Sequence, residues 1–483
     1  MHYILPQDRT QTSIMRPSLD EMIGVDAEVR ILDLLITEIV RQNQGKFRYK
    51  GKIRVGRKAY SPETMLKLHL YGYLNKIRSS RNLEAECNRN IEVMWLLGSL
   101  KPDFKTISDY RRDNGTQIKF LTRQVRLFLR DKNYIKGEVV AIDGTKLKAN
   151  AKREVLTRSG LEKRLSKMAD DMEDYLSELE TNDIHDEQDH DDTSSHRQLV
   201  DKVIKLEREI EKLQGYKKDM DDRKVNYYSP TDPDAKMMKA REGKIPGYNV
   251  QSAVDSKHGM IASLEVCDSP VDQRQLKSMV DHVERDLGSA PEIVTADKGY
   301  YNPDMIEEVE QDGNTMCAVP AQISSRDKDE IDFQYDETAD EYICSQGKRL
   351  SLIQRNKQKK NSLANVYQGK ECSGCSLRAV CTTSKRGRLI LRYHNQEWRD
   401  RYRDRIQTGA AKALIRKRKA IVEHPFGTLR AWMGKTQLLL RGRPKVQIEM
   451  DLYGSVYNLR RLMNLVSVDV LTEMIHGYDW KMA

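Results

Sequence analysis

Three acids stand where chemistry would need them. Asp143 lies near the end of GEVVAIDG (137–144), a β-branched run closed by an acid and a glycine, and Asp297 holds the matching place in PEIVTADKG (291–299). A short apolar run of this kind predicts a buried strand that delivers its acid at the tip, where ligand sites gather in mixed sheets. Glu423, in IVEHPFG (421–427), is the single acidic residue among ten Lys or Arg between Lys412 and Lys445, whereas a solvated helix face normally mixes the two signs. Carboxylates converging from separate elements can hold hard cations such as Mg²⁺. Two such ions about 3.5–4 Å apart can drive phosphodiester displacement. Each acid alone has a plainer reading, since Asp-Gly is a common turn pair and Glu423 could simply neutralise nearby arginines. Asp232, Asp234 and Asp255 are rival carboxylates, with Asp232 the first substitute.

A second constellation is soft. Cys344 with Cys372, Cys375 and Cys381 in CSGCSLRAVC offers the four sulfurs of a tetrahedral Zn²⁺ site, against the alternative of four reduced, partly buried thiols. Cys267 and Cys317 fall in strand-like runs, where small apolar packing is the default. Seven cysteines, four of them late in the chain, suit metal or packing roles better than a disulfide framework.

Elements must position these groups. Residues 17 to 130 read as helical: Ser18 with Glu21 and Ser61 with Pro62 are helix-start signals, and Met65, Leu66, His69, Leu70 and Tyr73 recur at helical spacing. His69 on that stripe is expected in the core. Interleaved basic residues, Arg54 to Arg81, fit a small helical DNA-binding domain or a bundle with a solvated basic face. Leu161, Leu165, Met168, Met172, Leu176 and Leu179, then Leu199, Val203, Leu206, Ile210 and Leu213, step by threes and fours and predict an antiparallel helical hairpin over 155–223, its acidic connection (181–192) a loop. GYNVQSAVD and GMIASLEVC predict a β-hairpin, followed by a helix near 273–287, the Asp297 strand, a helix from Pro303 and the strand TMCAVP. Between 321 and 394 regular patterning is lost, and a long helical region closes the chain.

At 483 residues, 38% hydrophobic and 32% charged, the chain can build two or three domains. A net charge of +10 is compatible with a polyanionic partner. The longest apolar runs are too short or too interrupted to span a membrane, and the N-terminus lacks a signal-peptide pattern, so a cytosolic protein is expected.

In order, strand with Asp143, β-hairpin, helix, strand with Asp297, helix, strand and helix with Glu423 approach an RNase H-like mixed sheet. AIDGTK from Ala141, TADKGYYN from Thr295 and VEHPFGTLR from Val422 resemble the three acid motifs of bacterial insertion-sequence DDE transposases. The similarity extends to PDFKTISDYRR (102–112), SPTDPDA from Ser229, GYNVQSAVD from Gly247 and the Cys-rich segment, and so covers nearly the whole chain. It implies an all-α N-terminal DNA-binding domain (1–130), an RNase H-like core (131–154 and 224–320) interrupted by the hairpin, a Cys-rich insertion (321–395) and a C-terminal helical part carrying the catalytic Glu (396–483). It further implies a nucleoid-associated bacterial enzyme using two Mg²⁺, with Mn²⁺ as a substitute. Such an enzyme cleaves double-stranded DNA at terminal inverted repeats and joins the 3′ ends to target DNA, as a homodimer or higher oligomer. Some relatives carry the spacing Y-x2-R-x3-E-x6-K around the Glu. Here those positions are Arg416, Lys419 and Arg430, so phosphate binding carries over, while extrusion of a base, which belongs to the Tyr, does not. Pro425 removes one helical donor, so a kink after Glu423 is expected. The rival function is a transposase-derived DNA-binding protein that no longer cleaves.

Overall fold

The computed structural model describes residues 17–48, 58–151, 155–186, 193–240, 243–321, 332–359, 362–433 and 437–481, with side chains left aside at 179–186, 193–196 and 432–433. The stretch 49–57, with Arg54 and Arg57, and residues 187–192 of the acidic connection lie outside them. Helices come first: α1 (Glu28–Gln42), α2 (Pro62–Leu74), α3 (Ser80–Arg89), α4 (Ile91–Leu96), α5 (Phe104–Asp113) and α6 (Gly115–Asp131). Ser61 caps α2 by accepting from the Thr64 N–H at 3.1 Å, with Pro62 in the first turn. His69 is fully buried, its Nε2 3.1 Å from the Ile107 carbonyl.

The Ser18–Glu21 signal behaves differently. The reciprocal bonds form, Ser18 N to Glu21 Oε2 at 2.7 Å and Glu21 N to Ser18 Oγ at 3.3 Å, yet the chain there only turns, and α1 starts at Glu28. Arg30 takes the carbonyls of Asp20, Ile23 and Gly24 that a helix would have used, so a tertiary contact overrides the local signal.

Next come β1 (Val139–Lys148) and β2 (Leu156–Thr157), then α7 (Arg158–Asp186) and α8 (Thr193–Asp222). Lys217 lies 3.9 Å from Glu162 and Lys202 sits over Tyr175, so α7 and α8 run antiparallel. α7 continues to Asp186, into the stretch expected as loop. The pair closes on its own small core of Leu156, Leu161, Leu213, Met220 and Tyr228.

β3 (Tyr227–Tyr228), β4 (Lys236–Ala240), β5 (Gly243–Asp255), β6 (Ile261–Cys267), α9 (Leu276–Leu287), β7 (Ile293–Thr295), α10 (Pro303–Glu310) and β8 (Met316–Ala318) follow. β5 pairs antiparallel with β1, β4 and β6, while β1–β7 and β7–β8 are parallel. β1 is therefore central, and the buried Val140, Ala141 and Ile142 account for its apolar run. Gly288, at φ 79°, ends α9 in the left-handed conformation that glycine enters without strain.

Regular structure returns where the sequence suggested none. β9 (Phe333–Asp336), β10 (Glu341–Cys344), β11 (Arg349–Lys359), β12 (Ser362–Gly369) and β13 (Leu389–Tyr393) form an antiparallel sheet, with the short α11 (Arg378–Cys381) between its last two strands. β11 is exposed over much of its length and the other strands are mostly half-buried, so their side chains carry no clean alternation. The closing helices are α12 (Gln396–Gln407), α13 (Gly409–Met433), α14 (Arg443–Met463) and α15 (Val468–His476). α14 packs against β6, α6 and α2, and one core runs from α1 through the sheet to Trp480. The N-terminal helices thus share their core with the sheet. Among the described residues no helix is long and apolar enough to cross a membrane.

Candidate active site

Asp143 lies within β1, and Asp297 lies two residues past the end of β7, its parallel neighbour. Ala141 pairs with Thr295 at the end of the β1–β7 ladder, each two residues before its acid, and the Asp297 charge acts on Asp143. Asp297 follows β7 directly and accepts from the Gly299 N–H at 2.7 Å, which fixes its carboxylate at the strand tip. Burial pushes the Asp143 carboxyl above the usual aspartate range; Arg418 pulls it back, and the charges of Asp297 and Asp272 add to the rise. Two acids crowded in this way favour a cation between them.

α13 crosses β1 on this face. Arg430 donates Nη2 to Thr145 Oγ1 at 3.0 Å, and Thr145 shares a face of β1 with Asp143. Arg416, Lys419, Glu423 and Arg430 recur at three, four and seven residues and so form one stripe of the helix. Glu423 is 63% exposed, with Lys419 Nζ 3.7 Å away, while Arg416 is exposed and bonds only to the Lys412 carbonyl at 3.3 Å. α13 stays helical across Pro425, whose carbonyl accepts from the Tyr453 hydroxyl at 2.6 Å. The structure brings Asp143 and Asp297 together and leaves Glu423 on the solvent side of the helix. Among the described residues no three His, Cys, Asp or Glu side chains already stand at metal-binding separation. The acid pair nevertheless offers oxygen donors of the kind hard divalent cations take, and Arg418 Nη1, buried and without a hydrogen bond among the described residues, lies 3.8 Å from Asp143 Oδ1.

The rival acids have structural work. Asp232 Oδ1 accepts from the Tyr248 hydroxyl at 2.7 Å and the Gly442 N–H at 3.1 Å, and Asp234 accepts from the Arg443 N–H at 3.0 Å, so SPTDPDA caps α14. Asp255 accepts from the N–H groups of Lys136, Gly137 and Lys257. Sequence reasoning missed three groups. Arg418 lies 3.8 Å from Asp143. Asp272 Oδ1 accepts from Gln251 Nε2 at 2.7 Å and Asn249 Nδ2 at 2.9 Å. The Tyr300 hydroxyl donates to Gln251 Oε1. The available signal was the polar Asn249 and Gln251 inside a strand that is buried nearly throughout.

The four cysteines, Cys344, Cys372, Cys375 and Cys381, line one cavity of about 30 Å³. Cys372 Sγ donates to the Gly369 carbonyl at 3.3 Å, and a Cβ at Gly369 would come within 2.9 Å of that sulfur. Burial raises the Cys381 thiol, with Arg388 opposing and the other three sulfurs adding to the rise. The four thiols are soft donors of the kind Zn²⁺ takes, and among the described residues they line one cavity without standing at metal-binding separation.

A transposase DDE domain model matches residues 343–463, and a transposase domain model of the DUF772 type matches 17–113. The first covers the four cysteines, Arg416, Lys419, Glu423 and Arg430; neither reaches Asp143 or Asp297. No curated protein matches. Among solved structures, the cryo-EM structure of a piggyBac transposase synaptic complex with hairpin DNA aligns over 94% of this chain and 85% of that one, at 9% identity and a TM-score of 0.26, too low to carry an argument. Transposase-domain models thus match the chain on either side, in sequence, of its acid-bearing sheet, which supports an insertion-sequence DDE transposase.

Proposed function

We propose that the protein cleaves double-stranded DNA at the terminal inverted repeats of an insertion sequence and joins the freed 3′ ends to target DNA, with Asp143, Asp297 and Glu423 as the metal-holding acids. The observation that carries this is that Asp143, within β1, and Asp297, two residues past the end of the parallel neighbour β7, are close enough for their charges to act on one another, beside a basic helix that crosses β1. The order β6-β5-β1-β7-β8, antiparallel on one side of β1 and parallel on the other, supports an RNase H-like core. Mg²⁺ or Mn²⁺ bound there would supply Lewis-acid activation of the attacking oxygen and charge neutralisation at the leaving 3′ oxygen. Asp143 and Asp297 orient that site, and Glu423 is its third donor. Arg416, Lys419 and Arg430 hold DNA phosphates along the α13 stripe, and the N-terminal helices read the repeat. Two DNA ends must meet for joining, so a homodimer or higher oligomer on DNA follows.

The exposed Glu423 favours a second reading, a transposase-derived DNA-binding protein that no longer cleaves. Incubation of the full chain with a labelled terminal repeat and Mg²⁺ separates the two. Nicks at the repeat end support cleavage. Binding that leaves the strand intact in both Mg²⁺ and Mn²⁺ supports the second reading. For the cysteine cavity we propose one structural Zn²⁺ held by Cys344, Cys372, Cys375 and Cys381.

A further inference from the structure

Among the described residues, Arg418 Nη1 is buried, makes no hydrogen bond, and lies 3.8 Å from Asp143 Oδ1. That separation is too long for a hydrogen bond and short enough for strong attraction. A buried guanidinium nitrogen normally has its N–H groups satisfied, so this one is held by the charge of the carboxylate and not by directed bonds. Directly across the ladder from Asp143, Ser252 Oγ is also fully buried and without a partner. Two orphaned polar groups thus flank the same acid. The neighbouring residue of α13, Lys419, stands 3.7 Å from Glu423 in the same loose way.

We infer that Arg418 is the resident counter-ion of the Asp143–Asp297 pair, occupying in the free protein the charge position that a divalent cation takes over, so that Arg418 and the metal compete for Asp143. This rests on the metal-holding role proposed above. Carboxylates on adjacent strands repel one another, and a cation on a long, flexible side chain balances them without closing the site. Because its nitrogen is unbonded, displacement breaks no hydrogen bond and costs only the ion pairing. Asp297, Asp272 and Arg418 are the charges that bear on Asp143.

The test is Mn²⁺ binding to the full chain without DNA, followed by calorimetry and by the Mn²⁺ paramagnetic resonance signal. Mn²⁺ prefers oxygen donors and so reports on the acids and not on the cysteines. Arg418→Gln, checked for a cooperative melt like that of the wild type, should bind Mn²⁺ roughly tenfold more tightly. Arg418→Lys, which keeps the charge, should bind like the wild type, and Asp143→Asn should abolish the difference between Arg and Gln at 418. Equal or weaker binding by Arg418→Gln overturns the inference while leaving the metal-holding role intact. Absence of Mn²⁺ binding in wild type and variants alike overturns both.

Discussion

Replacing Glu449 tests how the N-terminal helices are fastened to the part of the chain that carries Glu423. Glu449, on α14, is fully buried, with its Oε1 3.0 Å from Arg78 Nη1 of the segment between α2 and α3. Its Oε2 accepts from the N–H groups of Leu439 and Leu440 at 2.9 and 3.3 Å. The adjacent Leu438 N–H donates to the Lys148 carbonyl at 3.0 Å, so one carboxylate ties an N-terminal residue to the segment that follows α13 and, through it, to the end of β1. The Arg78 side chain is only 14% exposed, so Glu449→Gln removes the carboxylate charge that faces a nearly buried cation. Breaking a buried pair from one side costs about 3–5 kcal/mol. Glu449→Gln keeps volume and one acceptor and should lose an amount in that range in urea unfolding. Arg78→Met should lose a similar amount, because it strands the anion instead. The double variant should fall short of the sum by about 2 kcal/mol or more, since neither stranded charge then remains. A loss below about 1 kcal/mol for Glu449→Gln, or strict additivity in the double variant, would refute the fastening role.

Three further outcomes follow. A Cβ at Gly144 would collide with Gln251 Nε2, pinned by Asn249, Asp272 and Tyr300, and would come within 2.9 Å of Asp272 Oδ1; Gly144→Ala should therefore cost about 1–3 kcal/mol in the same unfolding assay, and an unchanged midpoint would contradict this packing. Burial raises the Asp451 carboxyl to about 6, against the pull of Arg126. Between the unfolded value near 3.9 and that figure the folded state holds the extra proton, so this group's contribution to stability falls as pH rises through the window. The advantage of Asp451→Asn over wild type should then grow by roughly 2–3 kcal/mol from pH 4 to pH 7, and a difference independent of pH would count against it. Purified protein should carry about one equivalent of zinc, lost in Cys372→Ser; trace zinc unchanged by that substitution would mean reduced thiols.

Much of this arrangement was legible because its signals are local. β1 and β7 are buried on both faces, so each reads as an apolar run that its acid interrupts. The α7–α8 pair reads from its stripes because only one face of each helix is covered. The Cys-bearing sheet did not show in the sequence, since β11 is exposed over much of its length and lacks the alternation that betrays a half-buried strand. Ser18 and Glu21 signalled a helix that Arg30 pre-empts by taking carbonyls six to ten residues before it in the chain. Arg418 and Asp272 carry no motif, and they enter the site only because folding brings α13 and the β6–α9 connection beside β1.

The role of Glu423 is where the account is most exposed, because the side chain stands in solvent on the helix that crosses β1. The decisive measurement is cleavage of a labelled terminal repeat in Mg²⁺ by the wild type, Asp143→Asn, Asp297→Asn and Glu423→Gln, with DNA binding followed in parallel in Ca²⁺. Each substitution keeps side-chain volume and removes one charge, so packing is preserved and only the donor set changes. The account predicts that every variant binds the repeat close to wild-type affinity while cleavage falls by at least about a hundredfold, or ~2.7 kcal/mol. Wild-type cleavage by Glu423→Gln would remove that residue from the site, and wild-type cleavage by all three variants would contradict the mechanism itself.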